Sequence, residues 1–173
     1  MAEFGLSLGS NIGDKAGNLK RAIDRLAVDP DISVDAVSPF HRTAPWGLTD
    51  QDWFVNACII GRTELPPLAL LDRCQRIEAE QGRVRIVRWG PRIIDVDILY
   101  YGDLVLDSPT LTLPHPRLFA RAFVLRPLAV IAPGRVINGL RVSDALAALP
   151  HAEAGIEAFG PDAATPAQAR SRS

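Results

Sequence analysis

Cysteine is scarce. The 173-residue chain has two, Cys58 and Cys74, both in apolar segments and neither at metal-ligand spacing. A disulfide scaffold is thereby disfavoured, and two small buried residues in a reducing compartment fit better. Long apolar runs are missing too: although 47% of residues are hydrophobic, no run approaches the roughly 18 residues needed to span a bilayer. The opening MAEFGLSLGS lacks the basic start and long apolar stretch of a secretory signal. The expectation is a cytoplasmic protein with no membrane partner. Excess charge is also absent. With a formal net charge of -1, no global basic field attracts nucleic acid, and any anion must be bound locally. No internal repeat is visible, and the length fits one domain with one good core.

What is present is a dense set of strand and helix signals. Phe4–Leu8 alternates apolar and small residues and runs into Gly9, Ser10 and Asn11, a strand followed by a turn. GSNIGD lacks the lysine and hydroxyl residue of a Walker loop, so it reads as a structural turn before a helix capped by Asp14, with Leu19, Ala22, Ile23 and Leu26 on its apolar face. Ile32, Val34 and Ala36 alternate as a half-buried strand. HRTAPWGLTDQDW is a long aperiodic loop of the kind that carries function. Phe54–Ile60 follows as a strand with Phe54, Asn56, Cys58 and Ile60 on one face, where the Asn56 amide needs partners: an internal hydrogen bond or the edge of a bound heterocycle. Pro66 and Pro67 open a helix whose face carries Leu70, Cys74 and Ile77 to a stop at Gly82, with Leu71, Gln75 and Glu78 as an adjacent stripe.

The chemistry concentrates in RWGPRIIDVDILYYGD, Arg88 to Asp103. Asp95 and Asp97 lie two apart in a β-branched apolar run, so a strand points both to one side with Cα atoms roughly 7 Å apart. On an exposed edge such a pair is only a solvated face. Flanked by Ile93, Ile94, Val96, Ile98 and Leu99 it sits on a largely buried strand, where two ionised carboxylates are costly unless cations compensate them. Arg83, Arg85, Arg88 and Arg92 supply permanent, planar donors immediately upstream. Carboxylates beside arginines point to a metal ion and phosphates.

Downstream, Gly102 and Asp103 mark a hairpin with Leu104–Leu106 returning. His115, between Pro114 and Pro116, reads as a phosphate donor beside Arg121 rather than a metal ligand. Val124–Ile131 reads as a strand or buried segment interrupted by Pro127, Asn138 and Gly139 form a turn, and Ser143 caps a short helix ending at Pro150. From about residue 155 the Ala, Pro and Ser content reads as a flexible tail, giving a single domain over 1–154 and a tail over 155–173.

Six segments in order, LSLGSNIGD, RTAPWG, QDWFVNA, QRIEAEQGRVR, RWGPRIIDVDILYYGD and LPHPRLFARAFVLRPLAVIAP, together resemble the 6-hydroxymethyl-7,8-dihydropterin pyrophosphokinase family of folate biosynthesis. The resemblance implies an α+β fold: a ferredoxin-like antiparallel sheet with helices on both faces, three layers α/β/α. It implies a monomer that transfers the pyrophosphoryl group of ATP, its co-substrate, to the pterin hydroxymethyl oxygen and releases AMP. Asp95 and Asp97 match the ligands of two Mg²⁺ ions, and Arg83 and Arg92 join them as catalytic residues.

The same resemblance assigns nucleotide contacts to Gln75, Glu78, Arg83, Arg85, Arg88, Arg92, Ile98, Thr112, His115 and Arg121. It assigns the pterin to Thr43, Ala44, Trp46, Phe54, Asn56, Trp89, Asp95 and Phe123, with Phe54 and Phe123 as stacking walls and Asn56 reading the ring's edge. No strong general base is evident for the substrate hydroxyl, which leaves a metal-lowered pKa or proton acceptance by Asp97. Two other readings compete: a catalytically silent nucleotide-binding module, and a nucleic-acid binder using the arginines and Trp89. An intact acidic pair disfavours the first, and the net charge disfavours the second.

Overall fold

Small residues alternate with large apolar ones along β1 (Ala2–Ser10), and this lets the strand be buried on both faces from Phe4 onward. It is hydrogen-bonded to a neighbour on each side, as a central strand requires. The computed structural model describes residues 1–43, 53–82, 93–150 and 156–158.

After β1 the chain turns into α1 (Lys15–Val28), whose N-terminus is capped by Asp14 accepting from the Gly17 backbone N–H at 3.1 Å. The buried Asn18 side chain donates to Ser10 Oγ and the Ile12 carbonyl, at 3.1 and 2.9 Å, so the GSNIGD turn is tied to the helix that follows it. Strands β2 (Ile32–Val37), β3 (His41–Thr43) and β4 (Phe54–Thr63) come next, then α2 (Pro67–Glu80) and β5 (Asp95–Tyr101). Pro67 opens α2, and Gly82, with φ +80, lies just past its end, as read from the sequence. The remainder comprises β6 (Leu106–Asp107), β7 (Thr112–Leu113), a 3-10 turn (Leu118–Ala120), α3 (Ala122–Ile131), β8 (Val136–Ile137), β9 (Leu140–Arg141), α4 (Val142–Ala148) and β10 (Ile156–Ala158).

The main sheet is antiparallel with strand order β10-β3-β4-β1-β5, and β2 pairs with the far half of β4. Helices cover both faces. One core packs Leu19, Ala22 and Leu26 of α1 and Leu70, Cys74 and Ile77 of α2 against Leu6, Leu8, Val96 and Ile98 of the sheet. The other packs Val124, Leu125 and Leu128 of α3 and Val142 and Ala145 of α4 against Cys58, Leu99 and Tyr100. Burying each of the Leu, Ile and Val side chains among them contributes roughly 1.5–3 kcal/mol. This is the α+β, ferredoxin-like arrangement in three layers that the sequence resemblance implies. A bulge explains how β5 serves both cores: Leu6 pairs with Ile98 and Gly5 with Tyr100, so Leu99 is an extra residue and the faces switch there.

Four local expectations are corrected. Leu106 does not return along β5; it pairs with Leu113 of β7, because Ser108 closes a turn in which its N–H and Oγ both meet the Leu111 carbonyl. Val124–Ile131 is helical. Its apolar residues Val124, Leu125 and Leu128 fall on one helical face toward the sheet, and their burial outweighs the backbone bond lost at Pro127. Ser143 does not cap α4: Arg141 is the capping residue, and the Ser143 N–H bonds the Pro133 carbonyl at 3.0 Å. Finally, the low apolar content after residue 155 gives no hint of β10, which pairs Ile156, Glu157 and Ala158 with Thr43, Arg42 and His41. Backbone pairing at a sheet edge does not depend on large side chains.

Candidate active site

Register brings several of the candidate residues together. On the sheet face covered by α3, Gly9 pairs with Asn56 on one side and with Asp95 on the other, and Asn56 pairs with His41. His41, Asn56, Gly9 and Asp95 therefore form one row across four strands. The next row is Cys58, Ser7 and Asp97. Asn56 and Asp95 lie two strand spacings apart, about 10 Å. The strand period points Asp95 and Asp97 to the same face, and both are half-buried.

At the Asn56 end, the amide is held rather than loose. Its Nδ2 donates to Thr43 Oγ1 at 2.6 Å, and both residues are buried. A Cβ on Gly9 would come within 2.8 Å of Asn56 Oδ1 and 3.8 Å of the Phe54 ring. The missing side chain of Gly9 thus leaves the floor of the row open between an amide and a carboxylate. Phe54 begins β4 beside this floor, and Phe123 lies in the first turn of α3, the helix packed over β4. The Arg121 guanidinium lies 5.4 Å from the Phe123 ring centroid, within cation–π range.

At the other end, a cleft of about 570 Å³ opens beside β5. Gln75 and Glu78 of α2, Asp97 and Ile98 of β5, Thr112 of β7 and His115 all line it. The covering of β5's outer edge explains why they meet there: the His115 N–H bonds the Leu99 carbonyl at 2.8 Å, and Glu78 Oε2 accepts the Val96 N–H at 2.8 Å.

The electrostatics follow from the same proximities. Burial lowers the His115 pKa to about 4, and the positive charges of Arg121 and Arg117 add to that fall while Asp95 opposes it. His115 is therefore neutral at pH 7. Its Nδ1 accepts the Arg117 N–H at 3.1 Å, which puts the proton on Nε2. Burial also lowers the Arg121 pKa; Asp97 and Asp95 oppose this and Arg117 reinforces it. Arginine remains cationic under such shifts. On the adjacent layer, burial pushes the thiol of Cys74 up, helped by Glu78 and Asp97, and burial alone raises Cys58, so both cysteines are inert packing residues as expected.

Asp95 and Asp97 are hard oxygen donors on one face, suited to a divalent cation. Among the described residues no group of three or more His, Cys, Asp or Glu could hold a metal. A cation bound to two carboxylates would complete its shell from phosphate oxygens and water, as Mg²⁺ commonly does.

Of the residues singled out from the sequence, Thr43, Phe54, Asn56, Gln75, Glu78, Asp95, Asp97, Ile98, Thr112, His115, Arg121 and Phe123 are described. Ala44, Trp46, Arg83, Arg85, Arg88, Trp89 and Arg92 lie outside the described residues. Two site residues escaped the sequence reading. Gly9 carried the signal of a glycine ending a strand, but only register shows which side chains flank it. Arg117, in LPHPR, was one arginine among many, and its place shows in its backbone N–H, which bonds His115 Nδ1 at 3.1 Å.

Residues 5–133 match the sequence model of a family described as 7,8-dihydro-6-hydroxymethylpterin-pyrophosphokinase (HPPK). The chain is 55% identical over 144 residues to a 2-amino-4-hydroxy-6-hydroxymethyldihydropteridine pyrophosphokinase of Methylorubrum extorquens, covering 83% of this chain and 91% of that one. A protein of the same description from Pseudomonas aeruginosa is 46% identical over 146 residues, covering 84% and 90%. Among solved structures, an HPPK-DHPS in complex with substrates superposes with a TM-score of 0.67 at 12% identity, covering 83% of this chain. At that identity the likeness speaks to fold, and this chain spans 42% of that one.

Proposed function

The chain belongs to the 7,8-dihydro-6-hydroxymethylpterin-pyrophosphokinase family, and from that premise we propose how its residues divide the work. It transfers the pyrophosphoryl group of ATP to the hydroxymethyl oxygen of 6-hydroxymethyl-7,8-dihydropterin, releasing AMP, in folate biosynthesis. The observation that carries the division of labour is the row Asn56–Gly9–Asp95.

Asn56, oriented by Thr43, reads the polar edge of the pterin ring. Phe54 and Phe123 supply stacking faces, since a flat polar heterocycle needs apolar walls and a few fixed hydrogen bonds. With the ring lying over Gly9, its hydroxymethyl arm points along the row toward Asp95. The cleft beside Ile98 and Thr112 takes the nucleotide, with Gln75 on its wall.

Asp95 and Asp97 would hold the Mg²⁺, taken as two ions. When bound, Mg²⁺ neutralises phosphate charge and favours displacement at phosphorus. Arg121 and the Nε2–H of His115 hold phosphate oxygens and keep the chain of phosphates in line with the hydroxyl. Arg83, Arg88 and Arg92, with Arg85, complete the phosphate contacts, and Ala44, Trp46 and Trp89 the pterin pocket. A monomer acting in the cytoplasm fits this reading, and among the described residues no helix is long and apolar enough to cross a membrane.

The test is direct: incubate the purified protein with ATP, Mg²⁺ and 6-hydroxymethyl-7,8-dihydropterin and measure AMP. Stoichiometric AMP and pterin diphosphate, both requiring Mg²⁺, are expected. Binding of both substrates without AMP would sink the proposal in favour of a silent binding module.

A further inference from the structure

Glu78 is an anomaly on the face it occupies. It sits on α2 among the buried residues Leu70, Cys74 and Ile77, and is 7% exposed. A carboxylate in that place is costly unless its oxygens are used. Its Oε2 accepts the Val96 backbone N–H at 2.8 Å. Among the described residues β5 has β1 on one side only in the strand order. The Val96 N–H goes to the Glu78 carboxylate and not to a neighbouring strand, so the side chain stands in for a ladder partner at this edge.

Val96 is the residue between Asp95 and Asp97. Fixing its peptide fixes the plane from which the two flanking carboxylates project. Without that bond, the start of an edge strand would be free to twist or fray. The carboxyl-terminal side of the pair is secured separately, by the His115 N–H on the Leu99 carbonyl.

We propose that Glu78 is a positioning residue for the acidic pair: it acts through the Val96 peptide to set the spacing of Asp95 and Asp97, and does not serve primarily as a ligand of the nucleotide. The inference rests on the functional reading above for what the acidic pair does. Glu78 stands to the metal-bearing carboxylates as outer hydrogen-bond partners stand to ligands generally, where removal commonly costs 10–100-fold in metal affinity or activity.

Two substitutions separate the roles. Glu78→Gln keeps an acceptor oxygen for Val96 and removes the charge; Glu78→Leu removes the acceptor and keeps the volume. Amide hydrogen exchange at Val96 is measured in the ligand-free protein. The Mg²⁺ concentration at half-maximal rate, the KM for each substrate and the preference for ATP over GTP are measured in the assay.

For Glu78→Leu we expect at least tenfold faster exchange at Val96, a tenfold or larger rise in the Mg²⁺ requirement, and a pterin KM within about twofold of wild type. Glu78→Gln should restore Val96 protection and most of the Mg²⁺ response. The proposal is overturned if Gln and Leu raise the ATP KM equally while Val96 stays protected in both, or if either variant changes base preference; those are marks of direct nucleotide contact. Should the Leu variant not fold, the Gln variant alone decides, because unchanged Val96 exchange with a lost Mg²⁺ response contradicts the proposal. If wild type releases no AMP, the functional reading fails. Exchange at Val96 and Mn²⁺-induced broadening of the Asp95 and Asp97 amides then still test the positioning claim.

Discussion

Asn56 and Asp95 stand in one cross-strand row with only Gly9 between them. An amide able to read a heterocycle and a carboxylate able to hold a cation are thus set about 10 Å apart on a rigid sheet. That spacing belongs to the hydrogen-bond ladder, so it is unaffected by side-chain rotation. Rigid elements hold reacting groups more accurately than loops do.

Removing either carboxylate should stop the reaction without unfolding the protein. Asp95 and Asp97 are half-buried and lie outside both apolar cores. Asp95→Ala and Asp97→Ala should each lower Mg²⁺-dependent AMP formation by about a thousandfold or more, on the scale of losing a transition-state charge partner, while thermal melting shifts little. Near-normal turnover in either variant would contradict the metal assignment.

Gly9→Ala should damage pterin recognition selectively. The added Cβ would lie 2.8 Å from Asn56 Oδ1, and the amide cannot easily swing away because its Nδ2 is bonded to Thr43. A rise of roughly tenfold in pterin KM is expected, about 1.4 kcal/mol, with ATP binding nearly unchanged. Isothermal titration with each ligand separately distinguishes this from a general loss of structure.

Phe123→Ala should also weaken the pterin more than ATP. An aromatic pair contributes about 0.5–1.5 kcal/mol beyond area burial, so a pterin affinity loss of tenfold or more is expected. Arg121 lies over the same ring, and some loss in phosphate binding should follow, but smaller. Equal losses for the two ligands would remove the stacking role.

Stability should fall in mild acid through His115. Its folded pKa, about 4, lies below the ordinary value of 6.5. Between those values the unfolded chain takes up a proton that the folded protein does not, so stability is complete above pH 6.5 and declines as pH falls toward 4. Burial of His41 lowers its pKa as well and acts in the same direction. Urea unfolding at pH 7 and pH 4.5 should show the decline, and His115→Gln should flatten it; an equal slope in wild type and variant would rule His115 out as a source.

Much of the local structure was legible in the chain itself. Two Asp at strand spacing in a β-branched run, a glycine stop after α2, the Asp14 cap and the Asn138–Gly139 turn, found with φ of 50 and 83, are all local signals. They depend on intrinsic dihedral preferences and on period-two or period-3.6 patterning, which act over a few residues. Errors arose where tertiary contacts override such preferences. Pro127 would normally discourage a helix, yet α3 forms because Val124, Leu125 and Leu128 are buried against Cys58, Leu99 and Tyr100. Leu106 had an apparent hairpin partner in β5 but pairs with β7 through the Ser108 turn.

By itself, then, the sequence determined which chemical groups are available and their local direction: paired carboxylates on one strand face, an amide on another, arginines and a histidine nearby. Tertiary structure alone decided their mutual placement. Antiparallel register put Gly9 between Asn56 and Asp95, and an edge left by strand order brought Glu78 onto the Val96 peptide. Such pairings join residues 18 to 86 positions apart. They arise only when two cores close on opposite faces of one sheet, since no local preference specifies which strands become neighbours.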